Sequence, residues 1–223
     1  MKAMILAAGI GKRMLPLTDK IPKPLIQVNK KYLIEYSILA LKKAGINQLI
    51  INVHHLGYQV KSMLGDGSKW GVSINYSEEY DLLDTGGGII QAINNNLLGE
   101  KPFVVVSSDI ITDFDFNLLI PQLSKLAHLI LVPNPSFKLN GDFNLVNNEL
   151  RLLDHNNPGS NYTYANIGIF DPRFFLNPID KIVPLVKFIN RAINNNQITG
   201  EVYYGSWKNI GNLSDLRSVN VTS

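Results

Sequence analysis

The sequence predicts an α/β fold in three α/β/α layers, with a mostly parallel mixed sheet between helices. Three observations predict it. Strand-like and helix-like segments alternate through the first half of the 223 residues. The strand-like runs, such as "FVVV" from Phe103, are apolar without interruption, as suits strands covered on both faces. After Pro133 the texture changes to short polar strands separated by Asn, Pro and Gly turns, which predicts an antiparallel elaboration of the second half.

The elements follow in order. "MKAMILA" reads as a first strand, and "YLIEYSILALKKAG" as an amphipathic helix closed by Gly45. "QLIINV" is a second buried strand, "YQVKSML" a short helix stopped by "GDG", and "VSINY" a third strand. "GGIIQAINNN" is a helix, "KPFVVVSSD" a fourth strand, "NLLIPQLSKL" a helix carrying Pro121, and "AHLILV" a fifth strand. Beyond Pro133 come the strands "DFNLV", "ELRLL" and "NIGIF", the helix "PLVKFINRAIN", the strand "EVYYG" and a last helix near "LSDLRSVN". No internal repeat or low-complexity linker divides the chain, so one domain over 1–223 is expected, its antiparallel half forming a lid or wall over the sheet.

Composition narrows the function. Hydrophobic residues make up 45% and charged residues 17%, the balance of a globular protein. The apolar runs are far too short to span a bilayer, so no membrane partner is expected. The start is read as a strand rather than a signal peptide. With no cysteine, disulfides and thiolate metal sites are excluded and a cytoplasmic location is expected. A net charge of +3 suits a small anionic ligand better than nucleic acid, which calls for a dense basic stripe. The oligomeric state stays open between a monomer and a small homo-oligomer.

In an open parallel sheet, ligands gather beyond the carboxyl ends of the strands, and three loops there carry unusual residues. In "LAAGIGKRMLPLTDKIPKPL", Gly9 and Gly11 allow a tight loop whose amides can face a phosphate, with Lys12 and Arg13 to neutralise it. The pattern is neither a dinucleotide fingerprint nor a Walker A loop. On the glycines alone, a turn with solvated charges explains it equally well. In "DLLDTGGGI", three glycines open a helix and leave room for a flat base against backbone, although a flexible turn has the same look. In "VVVSSDI", Asp109 ends an apolar strand, where a carboxylate can hold Mg²⁺ or simply cap a turn. His54 and His55 are adjacent, so their side chains diverge and make a poor metal site. Trp70 and Trp207 read as packing anchors.

Together these residues resemble the sugar-nucleotide nucleotidyltransferase family, enzymes that join a nucleoside triphosphate to a sugar 1-phosphate. The leading pattern L-A-A-G-x-G-x-R-h-x-P-h-T followed by P-K-P (h, apolar) is matched at every position by "LAAGIGKRMLPLT" and "IPKPL". The likeness extends through "AGINQLIINVHHLG", "LDTGGGI", "SDIITDFDF", "NPSFKLNGDFNL" and "GEVYYGSWKNIGN". It implies the glycosyltransferase-A-like nucleotidyltransferase fold, with a nucleotide-binding part over 1–133 and a sugar-binding part with the C-terminal helix over 134–223. It also implies Mg²⁺-dependent nucleotidyl transfer with release of pyrophosphate. The short chain argues against members with an appended acyltransferase domain, and the stretches "LLDTGGGI", "AHLILVPNP", "GDFNL" and "GEVYYGSW" most resemble the branch that uses UTP and N-acetylmuramate 1-phosphate in bacterial cell-wall recycling. The mannose-1-phosphate guanylyltransferase branch is similar in sequence.

The resemblance also implies roles. Ala8, Gly9, Gly11 and Lys12 would cradle the triphosphate, Arg13 grip the departing pyrophosphate, and Lys23 stabilise charge on the attacked α-phosphate. Gly86 and Gly87 would line the base, and Asp109 would bind Mg²⁺. Gly141, Asp142 and Asn166 would face the sugar or its phosphate. One departure stands out. Where the family's tail reads W-x-D-h-G-T-P, its Asp a second metal ligand, this chain has "WKNIGN", with Asn209 at the Asp position. Ser108 also stands where the family usually has Gly before the first metal Asp. An amide oxygen ligates a hard cation without adding negative charge, so the resemblance leaves two expectations open: a uridylyltransferase with a weakened metal site, or a nucleotide-binding relative that has lost turnover.

Overall fold

A computed structural model describes residues 1–119, 123–153, 160–178 and 180–220. Its strands are β1 (Lys2–Leu6), β2 (Gln27–Val28), β3 (Lys31–Tyr32), β4 (Gln48–Val53), β5 (Ser73–Glu78), β6 (Phe103–Ser107) and β7 (Ile110–Thr112), then β8 (Ala127–Val132), β9 (Phe143–Val146), β10 (Glu149–Leu152), β11 (Asn161–Phe170), β12 (Ile198–Val202) and β13 (Trp207–Asn209). The α-helices are α1 (Leu33–Lys43), α2 (Gly57–Leu64), α3 (Asp84–Asn94), α4 (Leu185–Asn194) and α5 (Leu213–Asn220).

Nine strands form one mixed sheet in the order β5-β4-β1-β6-β11-β8-β12-β10-β9. The β5-β4-β1-β6 half is wholly parallel. Beyond it, β11 runs antiparallel to both β6 and β8. The second half therefore extends the sheet instead of lying over it as a lid. The reason is in the sequence of β11: Ile167, Ile169 and Phe170 are all but fully buried, and such a run is stabilised only between two neighbours with layers on both faces.

Side-chain alternation along the central strands builds the two faces. Ala3, Ile5, Leu49, Ile51, Val104 and Val106 point into one core with Ile34, Ile38 and Leu41 of α1 and Val60 and Leu64 of α2. Met4, Ile50, Phe103 and Val105 point into the other with Ile89 and Ala92 of α3 and Phe188 and Ile189 of α4. A third, smaller core joins Met14, Ile26 and Val28 of the leading loop to Leu33, Ile210 and Val219.

Two expectations are corrected. The helix read over "NLLIPQLSKL" is a single 3₁₀ turn at Phe116–Leu119, with Pro121 outside the described residues and no helix in the remainder described. The strand read at "EVYYG" begins three residues earlier and ends at Val202, because Ile198 and Gly200 pair with Ala127 and Leu129 of β8.

Candidate active site

The carboxyl ends of β1, β4, β5 and β6 open onto a cavity of about 490 Å³. Its wall includes the leading loop (Ala8, Gly9, Gly11, Lys12, Arg13, Lys23), Ser107 to Asp109 after β6, and Asp84 and Thr85 at the start of α3. A 210 Å³ cavity adjoins it, sharing Leu6, Thr85 and Ser107 and reaching Lys138, Asp142, Asn166 and Asn209.

The leading loop is a chain of three 3₁₀ turns, Lys12–Met14, Leu17–Asp19 and Lys23–Leu25. Gly11 has φ 73°, a left-handed conformation that favours glycine. Gly9 differs: a Cβ there would meet no protein atom within 4 Å, so packing does not explain that glycine. The loop is stapled from behind. Thr18 Oγ1 donates to Gly11 O at 3.0 Å, and His55 Nε2 donates to Thr18 O at 2.8 Å. His54 Nδ1 donates to Glu79 O at 2.9 Å. The two histidines thus point to different partners and share no metal site. Lys20 lies outside the cavity wall.

Lys23 and Asp109 form an ion pair, both side chains more than four-fifths buried. Asp109 is also fixed through its backbone, because Ile210 N–H donates to Asp109 O at 2.9 Å while β13 pairs with β7. That pairing sets Asn209 opposite Ile110, one residue from Asp109. Trp207 Nε1 pins β13 by donating to Ala165 O at 3.0 Å. The Oδ1 of Asn209 is buried and has no hydrogen-bond partner. A buried acceptor left unsatisfied is expensive, and a hard cation is one group that would satisfy it. Among the described residues no cluster of three or more His, Cys, Asp or Glu could hold a metal. A cation here would rest on Asp109, Asn209 Oδ1 and oxygens brought by a ligand. Asn212, where the family pattern has Thr, has a local explanation. It caps α5, its Oδ1 accepting from Asp215 N–H while Asp215 Oδ2 accepts from the Gly211 and Asn212 amides.

In the second cavity, Asp142 is held by the backbone of β11: its N–H donates to Tyr162 O at 2.7 Å and its Oδ2 accepts from Tyr164 N–H at 3.0 Å. Asn166, at φ 57°, sits in the bulge where β11 shifts register between Tyr164 and Ile167; bulges re-aim side chains in this way. Burial and the nearby Asp142 carboxylate raise the Tyr164 hydroxyl well above the usual tyrosine range.

Three predicted residues fall elsewhere. Gly86 and Gly87 are buried within α3 and do not line the cavity. A Cβ at Gly86 would lie 2.7 Å from Val183 O, and one at Gly87 2.5 Å from Lys181 O. These glycines let α3 pack against the 181–185 segment. Gly141, at φ 72°, turns the chain, and a Cβ there would lie 2.7 Å from Asn134 Oδ1. Trp70 is 7% exposed in the core and donates to Glu35 at 3.0 Å, a packing anchor as expected.

The structure adds residues that the sequence reading missed: Asn52, Glu79, Asp84 and Thr85. Asn52 and Glu79 carried a signal, a polar residue inside "LIINV" and a carboxylate just after β5. Asp84 adopts φ 62° while its Oδ1 accepts from Thr85 N–H at 2.6 Å; strained non-glycine backbone of this kind gathers at functional sites.

Residues 2–136 match the model of a family described as nucleotidyl transferase. The chain is 40% identical, over 97% of its length and 96% of the relative's, to the N-acetylmuramate alpha-1-phosphate uridylyltransferase of Neisseria meningitidis serogroup B. It is 37% identical, over 52% of its length and 32% of the relative's, to the UTP–glucose-1-phosphate uridylyltransferase of a Synechocystis strain. A Bacillus anthracis structure assigned as a glucose-1-phosphate thymidylyltransferase, 24% identical, superposes with a TM-score of 0.85 over 99% of this chain and 94% of that one. That superposition bears out the three-layer fold with its mixed sheet.

Proposed function

This chain belongs to the nucleotidyl transferase family, and from that premise we propose that it transfers UMP from UTP to a sugar 1-phosphate, N-acetylmuramate 1-phosphate, releasing pyrophosphate. The observation that carries the reading is the juxtaposition at the carboxyl ends of the parallel strands. Gly9, open to the cavity, and the cations Lys12, Arg13 and Lys23 share one wall with Asp109, and a second polar cavity adjoins them. The 40% identity along nearly the whole chain supports the choice of base and sugar.

The chemistry needs positioning and charge stabilisation more than a covalent intermediate. A phosphate oxygen of the sugar 1-phosphate attacks the α-phosphorus of UTP in line. The bond from that phosphorus to the bridging β-phosphate oxygen breaks, and pyrophosphate departs with its electrons. Backbone amides around Ala8, Gly9 and Gly11 orient the triphosphate. Arg13 and Lys12 hold the leaving pyrophosphate, and Lys23 turns from Asp109 to the α-phosphate oxygens as charge develops there. Asp142 and Asn166 hold the sugar. Asp109 and Asn209 would hold Mg²⁺, which when bound supplies further charge neutralisation on the phosphate oxygens. We place the reaction in cell-wall sugar recycling in the cytoplasm.

A second reading, a nucleotide binder without turnover, is favoured by the amide at position 209. Pyrophosphate release with Mg²⁺ is the test, across four nucleoside triphosphates and the 1-phosphates of N-acetylmuramate, N-acetylglucosamine, glucose and mannose. Turnover confined to UTP with N-acetylmuramate 1-phosphate is expected. Nucleotide binding with no pyrophosphate released from any pair would establish the second reading instead.

A further inference from the structure

The second cavity has more than the polar groups that a neutral sugar needs. Among the described residues lining it, the charged ones are Lys138 and Asp142 alone, joined at 2.5 Å. Asp142 needs no lysine to hold it in place, because its Oδ2 already accepts the Tyr164 amide. Lys138 sits on a loop that is itself fixed. Lys138 N–H donates to Pro135 O, Gly141 N–H donates to Lys138 O, and Asn134 Nδ2 ties the loop to Leu139 O and Asn161 O at 3.1 and 3.0 Å. The side chain nevertheless remains 42% exposed at the cavity wall. Beside it, Phe137 and Val186 line the same cavity with 57% and 45% of their surface uncovered. A cation on a rigid loop next to uncovered apolar surface suits a substituent with a carboxylate at one end and methyl groups nearby.

We propose that Lys138 is a specificity-determining residue: it pairs with the carboxylate of an acidic, N-acetylated sugar 1-phosphate, while Phe137 and Val186 cover the apolar parts of the substituent. This deepens the reading given above and rests on it. N-acetylmuramate differs from N-acetylglucosamine by an ether-linked lactyl group, which supplies both a carboxylate and a methyl. The sugar's phosphate is drawn to Lys23 and Arg13 at the other end, so a second anionic group needs its own cation. Lys138 has three N–H donors and can keep Asp142 while accepting the new carboxylate. Without it, the substrate carboxylate would face Asp142 with no compensating charge among the described lining residues.

The test compares N-acetylmuramate 1-phosphate with N-acetylglucosamine 1-phosphate, for wild type, Lys138→Met and Lys138→Arg. Turnover gives kcat/KM for each sugar, and calorimetry gives the affinity for each sugar phosphate itself. A charge-assisted hydrogen bond of ordinary strength predicts that Lys138→Met lowers the preference for the acidic sugar by about 10- to 100-fold, mainly through KM. Lys138→Arg should restore most of that preference, and high salt should erode it in the wild type. Equal losses for both sugars, or an unchanged ratio, would overturn the proposal and leave Lys138 as a structural partner of Asp142. If the wild type turns over neither sugar, the uridylyltransferase reading fails. The calorimetric ratio still decides on Lys138, and equal wild-type affinity for the two sugars rules the proposal out.

Discussion

Asn52 Nδ2 donates to Glu79 Oε1 at 2.7 Å, in the wall of the 490 Å³ cavity. The bond is the middle of a chain. Ala7 N–H donates to Asn52 Oδ1 at 2.8 Å, and Glu79 Oε2 accepts from Leu83 N–H at 3.1 Å. Both side chains are at most 5% exposed. The leading loop and the start of α3, more than seventy residues apart in sequence, are thereby held by one side chain on β4 and one just past the end of the neighbouring parallel strand β5. Buried polar groups in such a network are fully satisfied or costly.

Breaking this chain should loosen the site and the fold together. Asn52→Ala leaves the Glu79 carboxylate and the Ala7 amide short of partners, a loss of about 1–3 kcal/mol. Gly88→Ala acts on the same pair from the helix side, since a Cβ would run into Glu79 Oε1 and lie 2.9 Å from Asn52 Nδ2. Urea denaturation should show both variants destabilised, with Gly88→Ala costing about 1–3 kcal/mol through overpacking. Wild-type midpoints for both would show that the network carries little of the fold's stability.

Lys23→Met tests the ion pair with Asp109. If Lys23 stabilises the reacting phosphate, kcat should fall by about 10²–10³-fold. The same variant releases Asp109 from its partner, so Mn²⁺ should bind the nucleotide-free protein more tightly, which paramagnetic relaxation of water reads directly. A fall in kcat without tighter Mn²⁺ binding would argue that the ion pair does not compete with the metal.

Asn209→Asp adds a carboxylate one residue away in register from Asp109. Without a divalent ion the two carboxylates repel, and thermal melting in chelator should shift down relative to wild type. With Mn²⁺ the order should reverse, since each added ligand charge raises affinity; a gain of about tenfold is expected. Unaltered Mn²⁺ affinity would remove position 209 from the metal site.

His128 predicts how stability depends on pH. It is 4% exposed on β8, its Nδ1 bonded to Thr199 Oγ1 at 2.8 Å and its Nε2 without a hydrogen-bond partner. Burial lowers its pKa from 6.5 to about 4. Between those values the unfolded chain binds a proton that the folded protein refuses. Stability from this group is therefore intact above pH 6.5 and lost as pH falls towards 4, by on the order of 3 kcal/mol. Glu201, 3.9 Å from Nε2, has its pKa raised by burial, which works in the opposite direction and makes the slope shallower. Urea midpoints between pH 7.5 and 4.5 should fall in the wild type and flatten in His128→Leu. A parallel slope in the variant would place the sensitivity elsewhere.

What the sequence determined by itself is local. The strands β1, β4, β5, β6 and β8 and the helices α1 to α4 are legible because apolar periodicity and Gly or Pro punctuation act over a few residues. The leading loop is legible because its chemistry is contiguous, from Gly9 to Lys23. Tertiary structure alone decided what depends on pairing across distance. Only the fold brings Asn52 to Glu79 and sets Asn209 beside Asp109 through the β7–β13 pairing. Only the fold places β11 inside the sheet, where its apolar run gains two neighbours. It also decided the glycines of α3. Three glycines in a row look like open backbone in one dimension, yet here Gly86 and Gly87 are the room into which the 181–185 segment packs, and Gly88 is the room for Glu79 and Asn52. Propensity is a property of a residue and its near neighbours, whereas the space around a missing Cβ belongs to whatever the fold sets against it.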